Sequence, residues 1–274
     1  YFILLLSVSC LLEVSCQNKH TKPNILLIMV DDLNDYQGVF GGHPQAKTPN
    51  IDKLATAGTR FVNAHTNVPV CSPSRNSFFT GVYPHRSRDF GWTPHFKQHV
   101  LKNHKTFIEL FKENGYKTLG TGKLLHVNVK SYWDKWGVPE RFNYGPHAYS
   151  GIDQNGKRLM GHSSVPEPFR SINIIDGSFA PLSDTPVVTD SLGKLKTTGW
   201  TYGKKTYRYV NDNDRDLMPD EQHALWISEQ LKPYHSSEPF FMAVGFVNPH
   251  TPLYAPKKYF DLFPLEEIVL PKIK

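Results

Sequence analysis

Asn24-Ile25-Leu26-Leu27-Ile28-Met29-Val30-Asp31-Asp32 is an unbroken apolar run that ends on two carboxylates. A run without polar alternation reads as a strand buried on both faces, the pattern of a parallel sheet rather than a half-exposed antiparallel one. Ligands of such sheets gather beyond the carboxyl ends of the strands, which is where Asp31 and Asp32 fall. Adjacent carboxylates repel unless a cation or a raised pKa relieves them, so one reading of the pair is a divalent-metal site. The other is a strand end running into an Asx-turn before Leu33-Asn34-Asp35.

Working outward, Phe240-Phe241-Met242-Ala243-Val244-Gly245-Phe246-Val247 is a second fully apolar strand, and it delivers Asn248-Pro249-His250. Thr48-Pro49-Asn50-Ile51-Asp52-Lys53-Leu54-Ala55 predicts a short surface helix capped by Asn50 and stopped by Gly58. Thr106-Phe107-Ile108-Glu109 is a capping box that opens a helix with Phe107, Leu110 and Phe111 inward, and Asn114-Gly115 closes it. Tyr116 to Thr121 then reads as a strand, and helix followed by strand argues for an α/β layer architecture. Asp220 to Leu231 predicts a helix capped by Asp220. From Ser131 to Asp216 periodicity fails, which predicts loops over the sheet edge. Asp212, Asp214 and Asp216 imitate the start of a calcium loop, but Leu217 stands where the required Gly belongs and His223 where the closing Glu belongs, which excludes it.

With 39% hydrophobic and 20% charged residues in 274, the chain has the composition of one large globular domain, not of a disordered or fibrous protein. The excess of 31 basic over 25 acidic residues is spread over many segments. It suits an anionic substrate, and no basic-aromatic nucleic-acid motif is present. Tyr1 to Val14 is almost wholly apolar and too short for a spanning helix, so residues 1–16 read as part of a secretory signal and the protein as exported, periplasmic, surface-bound or secreted. Ser15-Cys16 offers lipid attachment as an alternative, although Glu13 fits such a box poorly. Cys10 and Cys16 belong to that leader. Cys71 is then alone in residues 22–274, where it has no internal disulfide partner and is a candidate for chemistry.

Cys71 opens Cys71-Ser72-Pro73-Ser74-Arg75, closed downstream by Thr80-Gly81. By itself the stretch also fits a buried Cys at the start of a helix with Pro73 in its first turn. Taken with Asp31-Asp32, Thr48 to Leu54, Gly122-Lys123-Leu124-Leu125-His126 and Asn248-Pro249-His250, in that order and spacing, it resembles the type I, formylglycine-dependent sulfatases over Lys22 to about Pro264. The likeness leans toward the iduronate-2-sulfatase-like branch, on the two residues between Lys123 and His126 and the Asn248-Pro249-His250-Thr251-Pro252 turn.

The resemblance implies an alkaline-phosphatase-like α/β fold with a mostly parallel central sheet flanked by helices. It implies that a formylglycine-generating enzyme converts Cys71 to an aldehyde whose hydrate is the nucleophile. Asp31, Asp32 and residue 71 would hold Ca2+, Arg75 would steady the hydrate, Lys123 and His250 would bind the sulfate, and one of them, or His126, would protonate the leaving oxygen. The implied substrate is a sulfated saccharide such as a glycosaminoglycan or algal polysaccharide. Phosphonate monoester or phosphodiester hydrolysis is the nearest alternative, and a non-catalytic carbohydrate-binding fragment with an unmodified thiol the next. The family also has a second acidic pair and a further Lys downstream of the position of His250. Neither occurs before Lys274, and Asp153-Gln154-Asn155 and Asp176-Gly177 precede His250. The expectation is therefore the N-terminal part of a longer enzyme, truncated at the C-terminus, which alone binds calcium weakly.

Overall fold

The computed structural model describes residues 22–138, 144–148, 151–152, 158–159, 179–185, 192, 194, 199–202, 205–232, 234 and 237–270. The leader over 1–16, Cys10, Cys16, Asp153 and Asp176 lie outside these. Strand β1 (Ile25–Val30) is followed by α1 (Pro49–Ala57), α2 (Cys71–Thr80), α3 (Phe107–Glu113), β2 (Lys117–Gly122), β3 (Lys135–Trp136), α4 (Pro219–Leu231) and β4 (Phe240–Phe246). The four strands form one parallel sheet in the order β1-β4-β2-β3. Strand order that departs from chain order requires crossovers, and helices supply them.

The inner strands of the sheet are covered on both faces. Phe79 of α2 and Ile108 of α3 pack with Leu124, Trp133 and Phe241 on one side, and Ile227 of α4 packs with Leu119, Met242 and Val244 on the other. Central β4 is buried on both faces from Phe240 to Gly245, as its unbroken apolar run requires. β1 departs from the expectation of burial on both faces. It is an edge strand whose Ile25, Leu27 and Met29 face the core, while Leu26 and Ile28 are 41% and 48% exposed. Among the described residues nothing covers that outer face.

Local signals mostly hold. Thr106 and Glu109 form the capping box at α3, but Ile108 is fully buried and Leu110 is half-exposed. The seven-residue helix turns Phe107, Ile108 and Phe111 toward the sheet, leaving Leu110 on the flank. α1 begins two residues earlier than a cap at Asn50 would place it, with Thr48 outside it and Pro49 first, so Asn50 is not its cap. Proline suits that first position because its missing N–H has no partner there anyway. Asp220 lies inside α4, whose entry is held instead by the Glu221 carboxylate accepting from the Met218 N–H at 2.8 Å. The stretch from 131 to 216 contributes β3 and several strands of two or three residues. Trp200–Tyr202 pairs with His147–Ala148 and Lys205–Thr206, and Phe179–Pro181 pairs with Leu253–Ala255. Trp200, Tyr207 and Tyr254 give this region a small core of its own.

Candidate active site

Three parallel strands end at one level, and each is followed by a residue singled out in the sequence. Asp31 follows β1, Lys123 follows β2, and His250 follows β4 by a short turn. α2 enters the same space at its N-terminus, because Cys71 is its first residue. The helix ends as Thr80-Gly81 suggests, with Gly81 at φ 71° donating its N–H to the Ser77 carbonyl. Amides unpaired in the first turn and the helix dipole together favour an anion at Cys71.

Lys123 owes its position to two glycines. Gly122 has φ 80°, and a β-carbon there would overlap the Gly245 carbonyl, while one on Gly245 would overlap the Lys123 carbonyl. The ends of β2 and β4 thus approach more closely than side chains allow, and the Lys123 N–H donates to the Gly245 oxygen at 2.9 Å.

At the centre is a buried ion cluster. Arg75 Nη2 donates to Asp31 Oδ1 at 2.7 Å, and its Nη1 donates to the carbonyls of Lys123 and Leu124 at 2.5 and 2.7 Å. The Lys123 ammonium pairs with Asp31 Oδ2 and lies 3.9 Å from Cys71 Sγ. Burial alone would push the Asp31 carboxyl up, but Arg75 and Lys123 together hold it below its ordinary value. Burial opposes the charge on Lys123, yet Asp31 keeps its pKa raised. The expected repulsion is relieved at Asp31, which Arg75 and Lys123 pair, while Asp32 has φ 57°, is exposed, lines the same cleft and faces His250 Nε2 at 3.9 Å. The Asx-turn forms two residues beyond the carboxylate pair, with the Tyr36 N–H donating to Asn34 Oδ1 at 2.9 Å.

Burial pushes the Cys71 thiol up, with Lys123 opposing and Asp31 reinforcing. A thiol so placed stays protonated at neutral pH and is a weak nucleophile. Asp31, Cys71 and His250 each bring a donor atom within 4.8 Å of the others. Carboxylates are what a hard divalent cation takes, whereas sulfur is too soft. The set therefore fits such a cation once an oxygen stands in place of Cys71 Sγ.

His126 lies at the rim, exposed, its ring 4.9 Å from that of Trp92. Partial burial and then the Lys123 and Arg75 cations hold its pKa below the ordinary histidine value, so it is neutral at pH 7. A cleft of about 590 Å³ runs between Asp31, Cys71, Arg75, Val68 and Trp92.

Two contributors escaped the sequence reading. Tyr144 lies with its ring centroid 4.7 Å from Lys123 Nζ, beneath that ammonium, and stands 5.3 Å from the His250 ring. It falls in the aperiodic stretch, where only Asn143-Tyr144-Gly145-Pro146 marks a turn. Asp220, expected as a helix cap, accepts from the N–H groups of Val247 and Asn248, both at 2.8 Å, and so fixes the chain just before His250. Asp220→Ala leaves both amides without their acceptor and is expected to cost about 2 kcal/mol in urea unfolding. A loss below about 0.5 kcal/mol would show that water replaces the carboxylate freely.

Comparison with known proteins agrees with this arrangement. The family model described as Sulfatase matches residues 23–267. A sulfatase of Formosa agariphila is 34% identical over 99% of this chain and 48% of its own length, and mouse iduronate 2-sulfatase is 33% identical over 98% of this chain and 43% of its own. The chain thus spans about half the length of the curated relatives it matches. The crystal structure of Ps i-CgsB in complex with k-i-k-neocarrahexaose is 24% identical, with a TM-score of 0.51 over 89% of this chain and 49% of that one, a likeness of fold alone. On the family match and these identities, the chain belongs to the sulfatase family, with the alkaline-phosphatase-like α/β fold.

Proposed function

We propose that the protein hydrolyses sulfate esters of a saccharide, in the manner of an iduronate-2-sulfatase-like enzyme, with formylglycine made from Cys71 by a formylglycine-generating enzyme. The observation that carries this is the convergence of Cys71 Sγ with the Lys123 ammonium at 3.9 Å and with Asp31 and His250 within 4.8 Å, at the start of a helix. Such a centre sets the Lys123 ammonium and the start of a helix, both of which favour an anion, beside residue 71. Its thiol is held protonated, which suits a precursor better than a nucleophile.

Residue 71, once an aldehyde and hydrated, would supply a hydroxyl nucleophile and divide ester cleavage into two easier steps. Calcium held by Asp31, Asp32 and the oxygen of residue 71 would add charge against the sulfate oxygens. Lys123 and His250 neutralise charge that grows on those oxygens as the ester bond breaks. Arg75 acts behind them: its guanidinium fork keeps Asp31 ionised and fixes the Lys123 backbone. Tyr144 orients the Lys123 ammonium from the other side. The leading apolar segment is consistent with an exported enzyme acting on polymeric material.

The test is mass spectrometry of the tryptic peptide that ends at Arg75, from protein made beside the modifying enzyme. An aldehyde in place of the thiol supports the reading, and a fully alkylatable thiol refutes it.

A further inference from the structure

Of the large apolar side chains left in water, two line the cleft holding Cys71, Leu33 at 42% exposed and Trp92 at 61%, and of these only Trp92 offers an aromatic face. Exposure alone means little, since single surface hydrophobics are normal. Its anchoring is more informative. Asn76, 2% exposed and on the same helix as Cys71, donates through Nδ2 to Asp89 Oδ2 at 2.8 Å and to the Thr93 carbonyl at 3.0 Å. Those two bonds bracket Trp92 in the chain and tie its backbone to the helix that carries the nucleophile position. On its other side lies the neutral ring of His126, which follows the same strand as Lys123.

The cleft is larger than a sulfate requires, at about 590 Å³, and falls in the range of small-molecule sites. Its charged lining is Asp31, Asp32 and Arg75, while Val68, Pro69 and Trp92 form apolar walls. The leaving alcohol of a bound ester has to point away from the charges and toward those walls. A pyranose presents a face of C–H groups, weakly positive and apolar, which complements the negative face of an indole.

Resting on the function proposed above, we propose that Trp92 is the platform on which the sugar ring of the sulfated substrate stacks, making this residue a determinant of specificity for a saccharide leaving group. Inorganic sulfate reaches only the charged end, so the two halves of the site can be measured separately.

The experiment compares wild type, Trp92→Ala and Trp92→Phe in the whole, formylglycine-bearing protein. It reads KM for the best of a panel of sulfated monosaccharides, and the inhibition constant for inorganic sulfate. Trp92→Ala is expected to raise KM about tenfold, Trp92→Phe to recover most of that, and the sulfate constant to stay within about twofold. An unchanged KM overturns the proposal, as does a sulfate constant that rises in step with KM, which would mean the anion site itself had been distorted. A wild type that cleaves aryl sulfates but no sulfated sugar overturns the stacking role and leaves a sulfatase. A wild type with an aldehyde at residue 71 that cleaves no sulfate ester overturns the function and this subsite together.

Discussion

Cys71→Ala is expected to remove sulfate-ester hydrolysis by at least about 10³-fold in kcat/KM, the scale seen when a covalent nucleophile is deleted. Fold stability should hardly change. The side chain is only partly buried, and alanine suits the first turn of a helix, so the cost is on the order of 1 kcal/mol or less. The informative control is the unaltered sequence made without the modifying enzyme. Its thiol is protonated at neutral pH and should be as inert as the alanine variant. Comparable activity in modified and unmodified protein would remove the aldehyde from the mechanism, and with it the argument for an enzyme of this chemistry. An aryl sulfate and an aryl phosphonate assayed side by side on the modified protein distinguish a sulfatase from a phosphonate hydrolase, since both release the same phenol and the ester cleaved faster identifies the group attacked.

Arg75→Ala should be the most destabilising single change at the site, by about 3–5 kcal/mol in denaturant unfolding. Side chains of Arg75, Asp31 and Lys123 are 6%, 6% and 3% exposed, so none of these charges has water to fall back on. The alanine variant leaves Asp31 with one cation where it had two, and strips the Lys123 and Leu124 carbonyls of their donor. Arg75→Lys should recover only part of the loss. One ammonium cannot reach a carboxylate and two carbonyls in the geometry of a guanidinium fork. A chelator in the unfolding buffer keeps any bound cation from masking the difference. A loss under about 1 kcal/mol would mean that Lys123 alone satisfies Asp31 and that the Arg75 bonds are incidental.

How far the sequence foretold this structure depended on the range of the interaction concerned. β1, β4 and the start of α3 were visible because an apolar run or a capping box is written in adjacent residues. The exposed face of β1 was not, because position at a sheet edge depends on strand order. Arg75 and Asp31 were both picked out, but as separate contributors. Their pairing spans 44 positions, and that between Lys123 and Asp31 spans 92, distances at which no periodicity operates. Asp220 was misread because a carboxylate near a helix start has a local use, and its actual partners at Val247 and Asn248 lie on another element. The strands between 131 and 216 are too short to have a recognisable pattern.

β4 is apolar toward both neighbours, so no inside-or-outside alternation tells its correct alignment from one slipped along the sheet. Polar atoms at its two tips remove that ambiguity: the Phe240 N–H donates to Asn24 Oδ1 at 3.0 Å at the entry, and Asp220 takes Val247 and Asn248 at the exit. A slip of two residues would carry His250 roughly 7 Å from Asp31 while burying just as much grease. The pocket is thus aligned at both tips of the strand, by Asn24 and by Asp220, and between them a slipped strand would set a side chain where only Gly245 fits.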